Sequence, residues 1–333
     1  MHIPDNYLSP QTCAVMGAAM VPVWTKCVRK VKEEIPRVKI PMIGVGAAFS
    51  FLLMMFNVPL PGGTTGHAVG GTLLAILLGP YAACIGVTVA LFIQAFIFGD
   101  GGILAFGANC FNMAFVLPFV GYFIYKTIKD RFQSEKGEYL GIIFGSYIGV
   151  NVAAFCAAIE FGIQPLLFKD AAGQALYCPY PLSVSIPAMV IPHLLVAGVV
   201  EAAFTVLIVG YIKKVSPGTF YKGAKEKTKA VYFFLAGLIL FTPLGLLATG
   251  TAWGEWGNDE IENVISGGSA LGFVPDGMKQ GFQFDSLMPD YALNGLPDVA
   301  GYLLSAIAGV AILIILFKIL SSIKKDKVGR KIG

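Results

Sequence analysis

Long apolar blocks constrain this chain before any motif does. IGVGAAFSFLLMM (43–55), LLVAGVVEAAFTVLIVG (194–210) and AGVAILIILF (308–317) carry a single charge between them. With their flanks, such blocks reach the length needed to cross a bilayer core, about 20 helical residues. Only 13% of the residues are charged and mean hydropathy is +0.72, against about 25% charged in a soluble chain. A soluble fold has nowhere to bury so much Leu, Ile, Val and Phe. The reading is therefore an all-α, polytopic helical membrane protein with about nine transmembrane helices. The expected spans are 12–28, 39–57, 66–79, 81–98, 108–126, 139–162, 187–212, 231–249 and 298–319. The third is short and glycine-rich, so a half-span or a segment inside the bundle fits it equally well.

Basic residues set the orientation. Of the 24 Lys and Arg residues, all but Lys169 and Lys279 fall in 26–39, 126–138, 213–230 or the tail from Lys318. This places those segments in the cytoplasm and the N-terminus outside, in the plasma membrane of a prokaryote. The net charge of +4 thus anchors the chain in lipid and gives no reason to expect a nucleic-acid partner. Three parts follow: a membrane domain over 1–212, a cytoplasmic basic linker over 213–230, and a two-helix module over 231–333. The module's helices flank a long extracellular loop, 250–297, which holds seven acidic residues and reads mainly as a solvated segment.

Motif absences exclude several classes of function. No GxxxxGK[ST] loop offers ATP hydrolysis, no HExxH suggests a zinc protease, and no Ser/His/Asp set stands out. The six cysteines form no CxxC pair, and most fall inside spans, where Cys behaves as a small apolar residue. No enzyme activity and no prosthetic group are expected.

The three histidines, His2, His67 and His193, are then informative. Residues 1–11 lack the basic and apolar regions of a signal peptide, and the bulk of His2 opposes removal of Met1. A free Met1-His2 terminus offers a metal its α-amine, the His2 amide nitrogen and His2 Nδ1, which close a five- and a six-membered chelate ring. Ni²⁺ and Cu²⁺ favour tetragonal nitrogen sites of this kind. One equatorial position remains for an imidazole. His67, in PLPGGTTGHAVGG (59–71), enters the third span from the same outer side. The plainer alternatives are a solvated N-terminal His2 and a His67 that simply begins a helix.

His193 and Glu201 lie eight residues apart, about two helical turns, and so on one face. Buried ionisable groups there support a different class of function, an ion-coupled secondary metal carrier. An interhelical hydrogen bond is the commoner role, for these and for Glu160. Residues 98–113, FGDGGILAFGANCFNM, read as a non-helical segment at membrane depth. Thr64, Thr65, Gln94, Asn109, Asn112 and His193 are candidates for orienting the donors by hydrogen bonds.

MHIPDNYLSPQTC (1–13), PGGTTGHAVGG, QAFIFGDGGILAFGANCFNM (94–113) and PHLLVAGVVEA (192–202) resemble the CbiM/NikM proteins, the metal-binding S components of energy-coupling-factor (ECF) importers. FTPLGLLATGTAWGEWG (241–257) and PDGM (275–278) resemble the NikN/CbiN subunit, here fused. The resemblance covers nearly the whole chain. It implies a seven-helix unit with the N-terminal peptide plugged into it, and Met1, His2 and His67 as metal ligands. It also implies cytoplasmic ATPase subunits and a transmembrane coupling (T) subunit as partners. MHIPDNYLSPQT is closer to nickel-type openings than to the MHIMEG of cobalt-type members. The expected substrate is therefore Ni²⁺, with Co²⁺ uptake for cobalamin synthesis as the alternative.

Overall fold

The computed structural model describes residues 1–219, 228–266 and 269–323. Residues 220–227 of the expected linker, and the basic tail beyond residue 323, lie outside them.

The chain opens with an extended segment, residues 1–9, before the first helix, α1 (Pro10–Glu34). Ser9 caps α1 by accepting the Thr12 N–H, and Pro10 opens the first turn, where its missing N–H costs nothing. Next come α2 (Ile40–Met55), a hairpin of β1 (Val58–Leu60) and β2 (Thr64–Gly66), and α3 (Gly71–Leu78). α4 (Pro80–Ile93) widens into a π-helix over Gln94–Phe98. A second π-helix, Cys110–Val116, joins the short α5 (Phe106–Asn109) to α6 (Leu117–Phe132). α7 (Glu135–Gly162) runs on to the short α8 (Gln164–Leu167). A third π-helix, His193–Ala197, lies between α9 (Leu182–Pro192) and α10 (Gly198–Val215). The C-terminal unit has α11 (Thr228–Phe241), a long loop containing the two-residue strands β3 (Ile265–Ser266) and β4 (Ser269–Ala270) and the one-turn α12 (Asp276–Lys279), then α13 (Asp298–Ser322).

Among the described residues, seven helical stretches are long and apolar enough to cross a membrane. They account for seven of the nine expected spans. α1 has the length but is less apolar, and the third expected span is reduced to the eight residues of α3 because strand and loop replace its first turns. The non-helical stretch is also shorter than expected. Only Gly99–Ala105 leaves the helix, and Asn109 and Asn112 stand on helical backbone.

Glycine spacing explains the tightest packing. Gly141, Gly145 and Gly149 line one face of α7, where a Cβ would fall 2.7 Å from Tyr125 O, 2.5 Å from Gly121 O and 2.9 Å from Leu117 O. The backbones of α6 and α7 meet because these positions carry no side chain, as in other membrane helix pairs. The C-terminal unit is packed onto the rest in the same way. A Cβ at Gly309 of α13 would strike the Phe51 ring of α2 at 2.2 Å, and Tyr302 donates to Met55 O at 2.7 Å.

α7 also orders the two ends of the bundle. At its start Glu138 meets Lys129 and Lys213. Just past its end, roughly 40 Å away, Gln164 Oε1 accepts the Ser9 N–H. The N-terminal segment and the basic helix ends therefore sit at opposite ends.

Candidate metal site

Residues 1–9 thread into the bundle: Met1 is 6% exposed, His2 2% and Ile3 0%. A buried extended peptide needs partners for its backbone groups, and side chains on neighbouring helices supply them. Asn109 accepts from Ile3 N (2.7 Å) and donates to Ile3 O (3.0 Å), which also accepts from Gly102 N at 2.9 Å. The Asp5 carboxylate accepts the N–H groups of Ile103, Leu104 and Ala105, tying the segment to the turn before α5. A Cβ on Gly102 would lie 2.5 Å from Asp5 N, so this approach requires glycine. Tyr7 O accepts from Cys178 N at 2.9 Å.

His67 is delivered by the β1–β2 hairpin and fixed from behind. Glu201 on α10 accepts from Val69 N (2.7 Å) and Gly70 N (3.0 Å), while Ser50 donates to Val69 O (2.7 Å). The His67 Nδ1 faces Ala68 O at 3.2 Å, which leaves Nε2 pointing at His2 Nδ1, also 3.2 Å away. Two nitrogens bound at right angles to one metal, each at about 2 Å, stand about 2.8 Å apart. The pair is thus close to the spacing of neighbouring ligands.

Two carboxylates complete the surroundings. Asp100 Oδ1 lies 2.9 Å from His2 Nδ1, while its Oδ2 accepts from Gln94 Nε2 (3.1 Å) and from Tyr291 Oη (2.5 Å). Burial alone would raise the Asp100 carboxyl, but His2 and these hydrogen bonds outweigh it and hold the group well below the usual carboxylate range. Glu255, from the C-terminal unit, accepts from the Met1 amine at 3.3 Å. Burial pushes its carboxyl up despite that amine. Among the described residues no three His, Cys, Asp or Glu side chains could hold a metal ion by themselves.

The other expected positions divide. Gln94 and Asn109 act one contact away from the donors, through Asp100 and Ile3. Thr64 and Thr65 instead donate to Thr251 O and Gly250 O of the C-terminal loop. Asn112 donates to Glu160 at 2.8 Å, and His193 Nδ1 faces Met189 O at 2.7 Å within its own helix. A π-helix at 193–197 lies between His193 and Glu201, and no hydrogen bond joins them among the described residues. Glu201 instead holds the His67 loop through Val69 and Gly70. The sequence does not single out Asp100, Glu255, Asp5 or Tyr291. Asp100 lies inside the irregular 98–113 stretch, whereas Glu255 is one of seven acids on a loop and carries no distinguishing mark.

The family model described as the cobalt uptake substrate-specific transmembrane region, CbiM, matches residues 2–219, and the PDGLE domain matches 227–326. A probable fused nickel transport protein, LarMN, of Lactiplantibacillus plantarum is 50% identical over 321 residues, covering 96% of this chain and 97% of the relative. The fused nickel transport protein NikMN of Rhodobacter capsulatus is 44% identical, covering 94% of this chain and 95% of the relative. A crystal structure of a transition metal transporter, 58% identical, superposes with a TM-score of 0.61 over 65% of this chain and 93% of that one. The chain is a multi-pass membrane component of metal uptake and not an enzyme. It belongs to the CbiM family of substrate-specific transmembrane proteins, with a PDGLE domain joined to its C-terminal side.

Proposed function

We propose that this chain captures Ni²⁺ for import through four nitrogens: the Met1 α-amine, the His2 amide nitrogen, His2 Nδ1 and His67 Nε2. The observation that carries the reading is the 3.2 Å approach of His67 Nε2 to His2 Nδ1, beside a buried N-terminal amine. The first three donors belong to adjacent atoms of one short peptide, so they close fused rings in a plane. His67 fills the fourth corner. Nickel suits that square better than zinc, which prefers a tetrahedron, and the fused nickel transport relatives support the same choice.

The same site would accept Co²⁺. The family's description favours that second reading, as does a cobalt transport protein of Acetoanaerobium sticklandii, 39% identical over 139 residues. In either case the chain acts as the S component of an ECF importer, with cytoplasmic ATPase subunits and a T subunit driving release inward. Its N-terminus faces outward, as the distribution of basic residues supports. The test is the metal content and coordination of the purified protein, by elemental analysis and X-ray absorption. A yellow to orange, diamagnetic centre with four nitrogen neighbours is expected. A six-coordinate paramagnetic nickel centre, or zinc outcompeting nickel, would overturn the four-nitrogen plane.

A further inference from the structure

Every donor of the proposed site lies in the N-terminal membrane unit, yet the amine is held by a residue more than two hundred positions away. Met1 N and Glu255 Oε1 are 3.3 Å apart. The loop that bears Glu255 makes three further contacts at the site. Thr64 donates to Thr251 O (3.0 Å) and Thr65 to Gly250 O (2.9 Å), both from the strand that leads into His67. Tyr7, on the N-terminal segment, donates to Trp256 O at 2.9 Å. Residues 250–256 thus touch both carriers of metal donors. Their fit depends on missing side chains: a Cβ at Gly250 would stand 2.3 Å from Gly63 O, and Gly254 adopts φ +82° with its Cβ position 3.0 Å from the Phe161 ring.

The two carboxylates near the donors must behave differently when metal binds. Asp100 faces His2 Nδ1. Once that nitrogen gives its lone pair to a metal it carries no hydrogen, so this contact cannot persist as a hydrogen bond. A primary amine is different. Coordination uses its single lone pair and leaves two N–H bonds, one of which still reaches a carboxylate. Glu255 alone can serve both the empty and the loaded site.

We propose that Glu255 is a positioning residue of the metal site, accepting a hydrogen bond from the metal-bound Met1 amine, and that the 250–256 loop of the C-terminal unit is a clasp that slows metal release. The proposal rests on the nickel reading above. Nickel-loaded full-length protein is mixed with excess chelator, and loss of the nickel absorption band is timed. Glu255→Ala should release nickel about tenfold faster, the scale of one hydrogen bond to a charged group. Its absorption spectrum should match the wild type, because the four donors are unchanged. Glu255→Gln, whose amide oxygen still accepts, should recover most of the retention. Thr64→Val combined with Thr65→Val should also speed release, and it carries the same expectation if Glu255→Ala fails to fold. Wild-type release rates in Glu255→Ala, or a changed spectrum, would overturn the positioning role. Wild-type protein that binds no nickel would overturn the nickel reading itself, which is a separable result.

Discussion

The N-terminal segment, residues 1–9, and the C-terminal loop, residues 249–291, meet at the site, and each has little regular structure. Their supports differ. The segment is buried and held by side chains on long helices and by a turn: Asn109 on Ile3, Gln164 on Ser9, and the backbone of 103–105 on Asp5. The loop is half-buried where it meets the site, at 250–256, and is held by Asn6 on Phe282, Tyr7 on Trp256, and Thr64 and Thr65 on Thr251 and Gly250, with further ties at Ile97 and Leu176. On the proposed reading, the segment carries donors and the loop covers them. Removing a donor from the segment should abolish tight binding, whereas loosening the loop should chiefly speed release.

The sharpest test of that contrast is a single residue added ahead of Met1. It moves the α-amine out of the five-membered ring, and the buried segment has no room to shift. Tight nickel binding should disappear, while a C-terminal tag leaves it intact. An extended protein with native affinity in a metal titration would erase the distinction between the two regions.

Histidine substitutions should rank by chelation. His2→Ala removes the imidazole of the fused rings and should lose nearly all affinity. His67→Ala removes one monodentate donor that water partly replaces, so weak binding should remain. Equal affinity of His67→Ala and wild type would take that residue out of the site. His193→Ala should leave bound metal largely in place, because His193 bonds within its own helix.

Acidification should weaken binding, since the donors must be deprotonated. Protons therefore compete progressively as pH falls from 8 to 6, and affinity should drop by at least about tenfold per unit. Asp100 is held well below the usual range, so it stays ionised throughout and adds no step of its own. A flat titration would point to carboxylate ligands.

The smallest effect expected within the segment is that of its supports. Asn109→Ala leaves the buried Ile3 N–H without its partner, at about 1–3 kcal/mol, while Ile3 O keeps the Gly102 N–H. Affinity should fall by about 10- to 100-fold, as when other residues that orient ligands are removed. Calorimetry would measure it. An unchanged Kd would mean that the segment holds its shape without the helix.

The sequence alone determined the membrane class and the positions of seven spans, and it raised Met1, His2 and His67 as the proposed donors. These properties are local. A span follows from a run of apolar residues, the proposed orientation from the count of basic ones, and the proposed chelate from the two consecutive residues Met1 and His2. Tertiary structure decided the rest. It shortened the third span to α3, confined the irregular stretch to 99–105, and gave His193 and Glu201 separate partners, Met189 and the Val69–Gly70 backbone. It also chose Asp100 and Glu255 out of 20 acidic residues. Nothing in their neighbours marks these two, because each gains its meaning from atoms distant along the chain. Glu255 differs from the other acids of its loop only in where the packing of α13 on α2 and the glycine approaches at 250 and 254 bring it, against an amine that the chain had already buried.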